Sequence, residues 1–322
     1  SSDKKWDLNL VKAYKRFRNN GKPFVCITTN DTFASEKIQN IIHRLNEEQN
    51  VLLIIDEAHN FGSVRLSNML PENIKYRIAL SATIKRHMDK KGTQKIFDYF
   101  GDECIVYDLE RAIKEGALCK YKYYPIPVFL DEDELDKYSY LTEKIKKFVV
   151  EEEGKVKISE EGKLLVFKRS RLLAGARNKP KKLMELMEKY KNEDSILVYC
   201  GATSMENEDE ENETVDLVRQ IDGVTEMINK SLGMRVHRFT AEEDLYERQE
   251  IKKYFQNGLY QVITAIKCLD EGVNIPNIHT AFILASSTNP KEYIQRRGRV
   301  LRKAPGKDYA VIYDFETQAI LG

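Results

Sequence analysis

The sequence predicts an α/β protein: two doubly wound parallel-sheet units joined by a mainly helical segment. Three observations predict it. Short apolar runs alternate with stretches of helical periodicity over most of the chain. Several of those runs carry no polar residue on either face, the pattern of parallel strands covered on both sides. A length of 322 residues, 42% of them hydrophobic, is enough for two domains with buried cores.

The elements follow in order. Phe24-Val25-Cys26-Ile27 reads as a buried strand, and Ile38, Ile41, Ile42 and Leu45 have helical spacing. Val51 to Ile55 and Tyr76 to Leu80 are further strands. Asp131, a good N-cap, opens a helix carrying Leu135, Tyr138, Leu141, Ile145, Phe148 and Val149 on one face, which Glu151 to Gly154 would end. A second helix is expected over Leu164 to Ala176. Pro180 punctuates the chain before a third with Leu183, Leu186, Met187 and Tyr190. Alternation then resumes. Strands are expected at 196–199, 236–239, 261–263, 281–284 and 310–313, with helices at 214–232, 243–255 and 291–302. The domain reading is 1–109, the C-terminal part of a first unit; 110–190, a helical linker; and 191–322, a complete second unit.

Composition narrows the function classes. Lys+Arg 52 against Asp+Glu 51 leaves a net charge of +1, so any nucleic-acid surface is a local patch. Five scattered cysteines without a C-x-x-C fit a reduced cytoplasmic protein and argue against a disulfide framework or zinc ribbon. No apolar run is long enough for a membrane span.

Chemistry concentrates in two places. Asp56-Glu57-Ala58-His59 stands at the carboxyl end of an apolar strand, the edge where open parallel sheets bind ligands. Adjacent carboxylates there can divide labour: Asp56 suits Mg²⁺ and its water shell, and Glu57 an attacking water. An acid-rich helix start is the plainer alternative. Ser81-Ala82-Thr83 follows the next strand. Far downstream, Gln295, Arg299 and Arg302 are spaced by four and three, and so share a helix face. Guanidinium forks match phosphate oxygens; a solvated basic helix is the alternative.

Asp56-Glu57-Ala58-His59, Ser81-Ala82-Thr83, Glu271 to Pro276 and Gln295 to Arg302 occur in the order of motifs II, III, V and VI of a superfamily 2 helicase, which the chain resembles. Thr28 to Phe33 resembles motif Ib, and Tyr199 to Thr203 stands at motif IV. Cys268 to Val273 and Arg299 to Arg302 look like DNA translocases of the restriction-subunit and DNA-repair type. DEAH-box RNA helicases usually have glycine where Leu301 stands. The resemblance implies two RecA-like domains, the cofactors ATP and Mg²⁺, and a nucleic-acid partner, double-stranded DNA by preference, with restriction, defence or repair subunits as possible company.

Roles follow residue by residue. Asp56 would ligate Mg²⁺, Glu57 would be the general base, and His59 would couple the nucleotide site to the second domain. Ser81 and Thr83 would link hydrolysis to domain movement. Gln295, Arg299 and Arg302 would meet the γ-phosphate, and Gly272 would let the backbone approach the nucleotide. Asn274 stands where the family often has a ribose-binding Asp. Thr28, Gly201, Thr203 and Thr264 would face nucleic acid, although a turn or cap is the plainer reading of a single threonine. Lys168, Arg169 and Arg171 form a basic cluster whose default is a solvated face. Tyr121, Tyr123 and Tyr124 flank a strand and are expected to pack the interdomain region, with base stacking as the alternative, and Arg248 is expected to tie its helix to the sheet.

No G-x-x-x-x-G-K-[ST] occurs in the chain. Family order places that phosphate loop before Ser1, so the expectation is an N-terminally truncated motor, inactive alone. Two readings compete with a DNA motor: an RNA helicase, and a scaffold that binds nucleic acid without using ATP.

Overall fold

The computed structural model describes residues 5–45, 50–86, 89–152, 155–201, 213–240, 242–266, 277–285 and 290–319. The chain divides into two compact units, Ser1–Val106 and Tyr107–Gly322. Among the described residues no helix is long and apolar enough to cross a membrane.

The first unit contains α1 (Trp6–Asn20), α2 (Asn30–Phe33), α3 (Glu36–Ile42), β1 (Leu52–Ile55), α4 (Val64–Ser67), β2 (Tyr76–Ala79) and α5 (Lys90–Phe100). Strands β1 and β2 pair in parallel, with Leu52 opposite Tyr76 and Ile54 opposite Ile78. Side chains alternate across a strand. Leu53 and Ile55 therefore turn inward, onto a core with Phe33, Ile38, Ile42, Phe61 and Ile74. Leu52, Ile54, Tyr76, Ile78 and Leu80 turn the other way and are 43–55% exposed. Among the described residues the expected cover on both faces is thus present on one face only.

Phe24–Ile27, expected as a buried strand, is neither helix nor strand, and Val25 and Ile27 are almost fully exposed. A strand needs a ladder as well as apolar side chains. Among the described residues β1 and β2 pair only with each other, and Phe24–Ile27 joins neither of their edges.

The second unit contains α6 (Leu109–Lys114), β3 (Lys120–Phe129), α7 (Glu132–Lys146), β4 (Val149–Glu152), β5 (Lys155–Ile158), α8 (Glu160–Ala174), α9 (Asn178–Met187), β6 (Ile196–Tyr199), α10 (Glu213–Leu232), β7 (Val236–Phe239), α11 (Leu245–Gln256), β8 (Val262–Ala265), β9 (Thr280–Ile283), α12 (Pro290–Val300) and β10 (Tyr309–Gln318). Six parallel strands run in the order β3-β10-β9-β6-β8-β7. Here the expectation of a doubly wound sheet holds. Leu197, Tyr199, Ile263, Ala281 and Ile283 pack on one side with Ile251, Phe255, Val300 and Leu301. Ile196, Val198, Val262 and Phe282 pack on the other with Leu183, Met187, Ile221, Val224 and Ile228. Strands β6, β8 and β9 are buried throughout, as their mainly apolar sequences require, with Thr264 and Thr280 the polar residues among them.

Local signals set several boundaries. Asp131 caps α7, accepting from the Glu134 amide at 2.9 Å while Glu134 Oε2 accepts from the Asp131 amide at 3.1 Å. Gly233, at φ 64°, ends α10 in a left-handed turn open to glycine. Helix α7 stops at Lys146, short of the expected Val150. Val149–Glu152 instead pairs antiparallel with Lys155–Ile158. The valines at 149, 150 and 156 favour strand. Residues 110–190, expected as a linker, are built into the second unit, because β3 is the edge strand of its sheet.

Candidate functional site

In the first unit the site grows from the end of β1. The Leu80 amide donates to the Ile55 carbonyl at 2.8 Å, and the Ala58 amide to the Leu80 carbonyl at 2.9 Å. The chain leaves the sheet between those two bonds, so Asp56 and Glu57 sit at its carboxyl edge. Glu57 takes φ 50° and ψ 44°, left-handed backbone that a non-glycine residue adopts at a cost of about 1–2 kcal/mol. The Asp56 carboxylate accepts from the Glu57 amide at 2.8 Å, which fixes the turn. Asp56 is exposed, and Glu57 is half-buried at the start of a 3₁₀ turn, Ala58–Gly62.

His59 is buried in that turn. Its Nδ1 lies 3.0 Å from Ser81 Oγ and 3.3 Å from a Glu57 carboxylate oxygen. Ser81 Oγ donates in turn to the Thr83 carbonyl at 3.0 Å. The structure thus joins His59, Ser81 and Thr83 in one hydrogen-bonded run drawn from two separate turns, with the Glu57 carboxylate beside it, 3.3 Å from the His59 ring. Arg86, unassigned in the sequence, braces them: Nη1 donates to the His59 carbonyl at 2.5 Å and Nε to Asp89 at 2.7 Å.

This arrangement needs glycine at one close approach. A Cβ on Gly62 would lie 2.6 Å from the Gly92 carbonyl oxygen, and one on Gly92 would lie 2.5 Å from the Gly62 oxygen. Neither backbone can yield without moving α5 off the 3₁₀ turn. Gly62→Ala is expected to destabilise the first unit by about 1–3 kcal/mol, the cost of overpacking. Denaturant unfolding followed at Trp6 would read this loss, and an unchanged midpoint would contradict it.

The donor set suits Mg²⁺ in one respect. This hard cation takes one or two carboxylates together with substrate phosphates and waters. Asp56 offers such a carboxylate in the open. The described residues contain no cluster of three or more His, Cys, Asp or Glu that could cage a metal unaided.

In the second unit, α12 carries Arg296, Arg297 and Arg299 and ends at Val300, so Arg302 lies just past the helix and not on the shared helix face that the spacing predicts. The cations fall into two groups. Arg296 and Arg297 are buried. Arg296 donates to the Ala285 carbonyl at 2.8 Å and lies 4.2 Å from the Tyr199 ring centre. Arg297 stacks 4.1 Å from the Tyr123 ring centre. Arg299 is half-buried and Arg302 exposed. The side chain of Gln295 lies outside the described residues, as do Gly272, Asn274 and Thr203.

The expected nucleic-acid contacts separate. Thr28 is exposed, while Gly201 is buried just beyond β6. Thr264 is fully buried, its hydroxyl 2.6 Å from that of Thr225 on α10. A side chain with no exposed surface cannot touch a phosphate, so Thr264 is corrected to a core polar contact. Arg248 donates to the Thr240 carbonyl at 3.2 Å and ties α11 to the end of β7, as expected. Arg169 packs over Tyr138 and donates to Thr142 at 3.1 Å, which takes it out of the basic cluster.

Sequence reasoning passed over three buried polar residues of this unit. Lys179 donates to the Leu284 carbonyl at 2.6 Å, and burial pulls its ammonium down to about 8. Asp314 accepts from the Tyr123 hydroxyl at 2.9 Å. Lys307 donates to the carbonyls of Val300 and Arg302. A lone Asp inside the apolar run Ala310 to Phe315 was the one available signal.

Comparison with known proteins agrees with this division. A model described as the type III restriction enzyme res subunit matches residues 2–86, and one described as the helicase conserved C-terminal domain matches residues 178–304. A curated relative, the DNA 3'-5' translocase XPB2 of Sulfurisphaera tokodaii, is 28% identical over 272 residues, covering 78% of this chain and 56% of its own. The chain thus spans little more than half the length of that relative. Among solved structures, the DNA-bound restriction-modification enzyme LlaBIII superposes with a TM-score of 0.55 at 14% identity, covering 97% of this chain and 21% of that one. A fragment of a type I restriction HsdR subunit from Vibrio vulnificus YJ016 gives 0.51 at 18% identity, covering 87% and 46%. At these identities the structures show the fold alone.

Proposed function

Because the chain belongs to the superfamily 2 helicases, matched in both of its units, we propose that it is part of an ATP-dependent motor that translocates on double-stranded DNA. One observation carries the reading: His59, Ser81 and Thr83 form a hydrogen-bonded run at the end of β1, and the Glu57 carboxylate lies 3.3 Å from the His59 ring. A hydrolytic carboxylate tied to a neighbouring turn is what a motor needs, because the state of the nucleotide can then move backbone beyond its own contacts.

The residues have these roles. Asp56 holds Mg²⁺, which neutralises charge on the phosphates when bound. Glu57 orients the attacking water and accepts its proton. Arg299 and Arg302 supply positive charge to the transferring phosphoryl group, for which electrostatics and positioning do most of the catalytic work. Gln295, Gly272 and Asn274 contact the nucleotide. Thr28 and Thr203 contact the phosphates of the nucleic acid, giving grip without sequence preference, whereas the buried Gly201 does not.

The similarity to a DNA translocase supports DNA over RNA. Leu301 supports it too, since this side chain is fully buried in the core where DEAH-box RNA helicases carry glycine. The 322 residues contain no G-x-x-x-x-G-K-[ST] to cradle the β- and γ-phosphates. The chain alone is therefore expected to turn over ATP negligibly. A form extended to include such a loop is expected to hydrolyse ATP with stimulation by duplex DNA above single strands or RNA. Brisk hydrolysis by residues 1–322 alone, or stimulation by RNA only, would contradict the proposal.

A further inference from the structure

Helix α12 is held by groups that its phosphate-facing role does not use. Arg297 is 6% exposed, and its guanidinium lies over Tyr123 with Nη1 3.4 Å from the Tyr121 hydroxyl. The Tyr123 hydroxyl donates at 2.9 Å to Asp314, which is 1% exposed on the neighbouring strand β10. A cation stacked on a ring whose hydroxyl is bound to a buried carboxylate is a polarised chain in a low-dielectric setting. It fixes the middle of α12 against two strands.

The far end of the helix has its own anchor. Lys307, 7% exposed, donates to the Val300 carbonyl at 2.5 Å and the Arg302 carbonyl at 2.9 Å. A cation on the last carbonyls of a helix is favourable through the dipole and the orphan acceptors together. The Cys119 amide donates to the Leu301 carbonyl at 2.9 Å, and Leu118 bridges to Arg302 across the backbone. The carbonyls of residues 300, 301 and 302 are thus each taken by an identified donor. Arg299 and Arg302 leave the chain at this anchored turn.

We propose that Arg297, Tyr123, Asp314 and Lys307 are positioning residues: a bracket that sets where Arg299 and Arg302 point. Tyr121, Tyr123, Lys307 and Asp314 lie outside the stretch matched by the helicase C-terminal model, so the bracket is an addition to that match. The inference rests on the motor reading for its consequence and on geometry alone for the bracket.

The test has two arms. In the full chain, Tyr123→Phe removes one hydroxyl, and Lys307→Met removes the anchor. Each is expected to speed hydrogen exchange at the Leu301 amide about tenfold, as loss of a hydrogen bond involving a charged group would. That amide bonds to the Arg297 carbonyl at 2.9 Å. Exchange in β6 and β8 should not change. In the form that hydrolyses ATP, the same variants should lower kcat about tenfold with KM for ATP within about twofold. Lys307→Arg should recover most of both effects. Unchanged exchange at Leu301 overturns the bracket. Faster exchange with unchanged kcat overturns its positioning role. If no form of the wild type hydrolyses ATP, the motor reading fails and the exchange arm still decides the bracket. Should Lys307→Met not fold, Tyr123→Phe carries the test.

Discussion

Glu57→Gln is expected to lower ATP turnover by about 10²–10⁴-fold while leaving ATP binding near normal, measured in a form of the protein that carries a phosphate loop. The size is that of a general base lost from a positioned water. The amide keeps the volume of the carboxylate but cannot accept the proton. It also keeps the side chain that reaches His59 at 3.3 Å. The left-handed backbone at position 57 is unchanged, because Gln and Glu carry the same strain there. Stability should therefore stay within about 0.5 kcal/mol of the parent, as for most exposed substitutions. A variant that hydrolyses ATP at the parental rate would remove Glu57 from the reaction.

Arg299→Ala should have the second large effect, a loss in turnover of about 10³–10⁵-fold, the range of an arginine acting on a transferring phosphoryl group. The fold should tolerate it. Arg299 is half-buried, whereas the neighbouring Arg296 and Arg297 are buried and carry the packing contacts of α12. That contrast supplies a control. Arg297→Ala should cost stability as well as turnover, since it strips the cation from Tyr123. Circular dichroism melts beside steady-state rates separate the two. Equal stability losses for Arg297→Ala and Arg299→Ala, or near-normal turnover in Arg299→Ala, would break the division between holding and acting arginines.

How much of this was legible depended on range. The buried strands of the second unit could be read because a run such as Ile196 to Tyr199 states its own environment: no polar group on either face, hence cover on both. The N-cap of α7 was legible because Asp131 stands immediately before the helical pattern, whereas the reciprocal bond from Glu134 was not read. Phe24–Ile27 was misread because periodicity describes side chains and says nothing about whether a ladder partner exists. Thr264 was misread for a similar reason: a hydroxyl at a strand end looks the same whether it faces solvent or the Thr225 hydroxyl of a packed helix. At the site, the acids and arginines were legible as local patterns. The links that organise them were not. His59 reaches Ser81 across 22 positions, and Tyr123 reaches Asp314 across 191. No local signal encodes contacts of that separation.

The bare flank of β1 and β2 bears on how the molecule comes apart. Among the described residues, the first unit's sheet is two parallel strands covered on one side, below the size at which a sheet is independently robust, while the second unit's main sheet has six strands between helical layers. Heating or denaturant should therefore empty the first unit before the second, so the curve holds two transitions and no single melting temperature describes it. The half-melted species would be oily. Its freed strand edges and the row Leu52, Ile54, Ile78 and Leu80 are the surfaces through which copies would clump, so the first transition becomes irreversible as concentration rises.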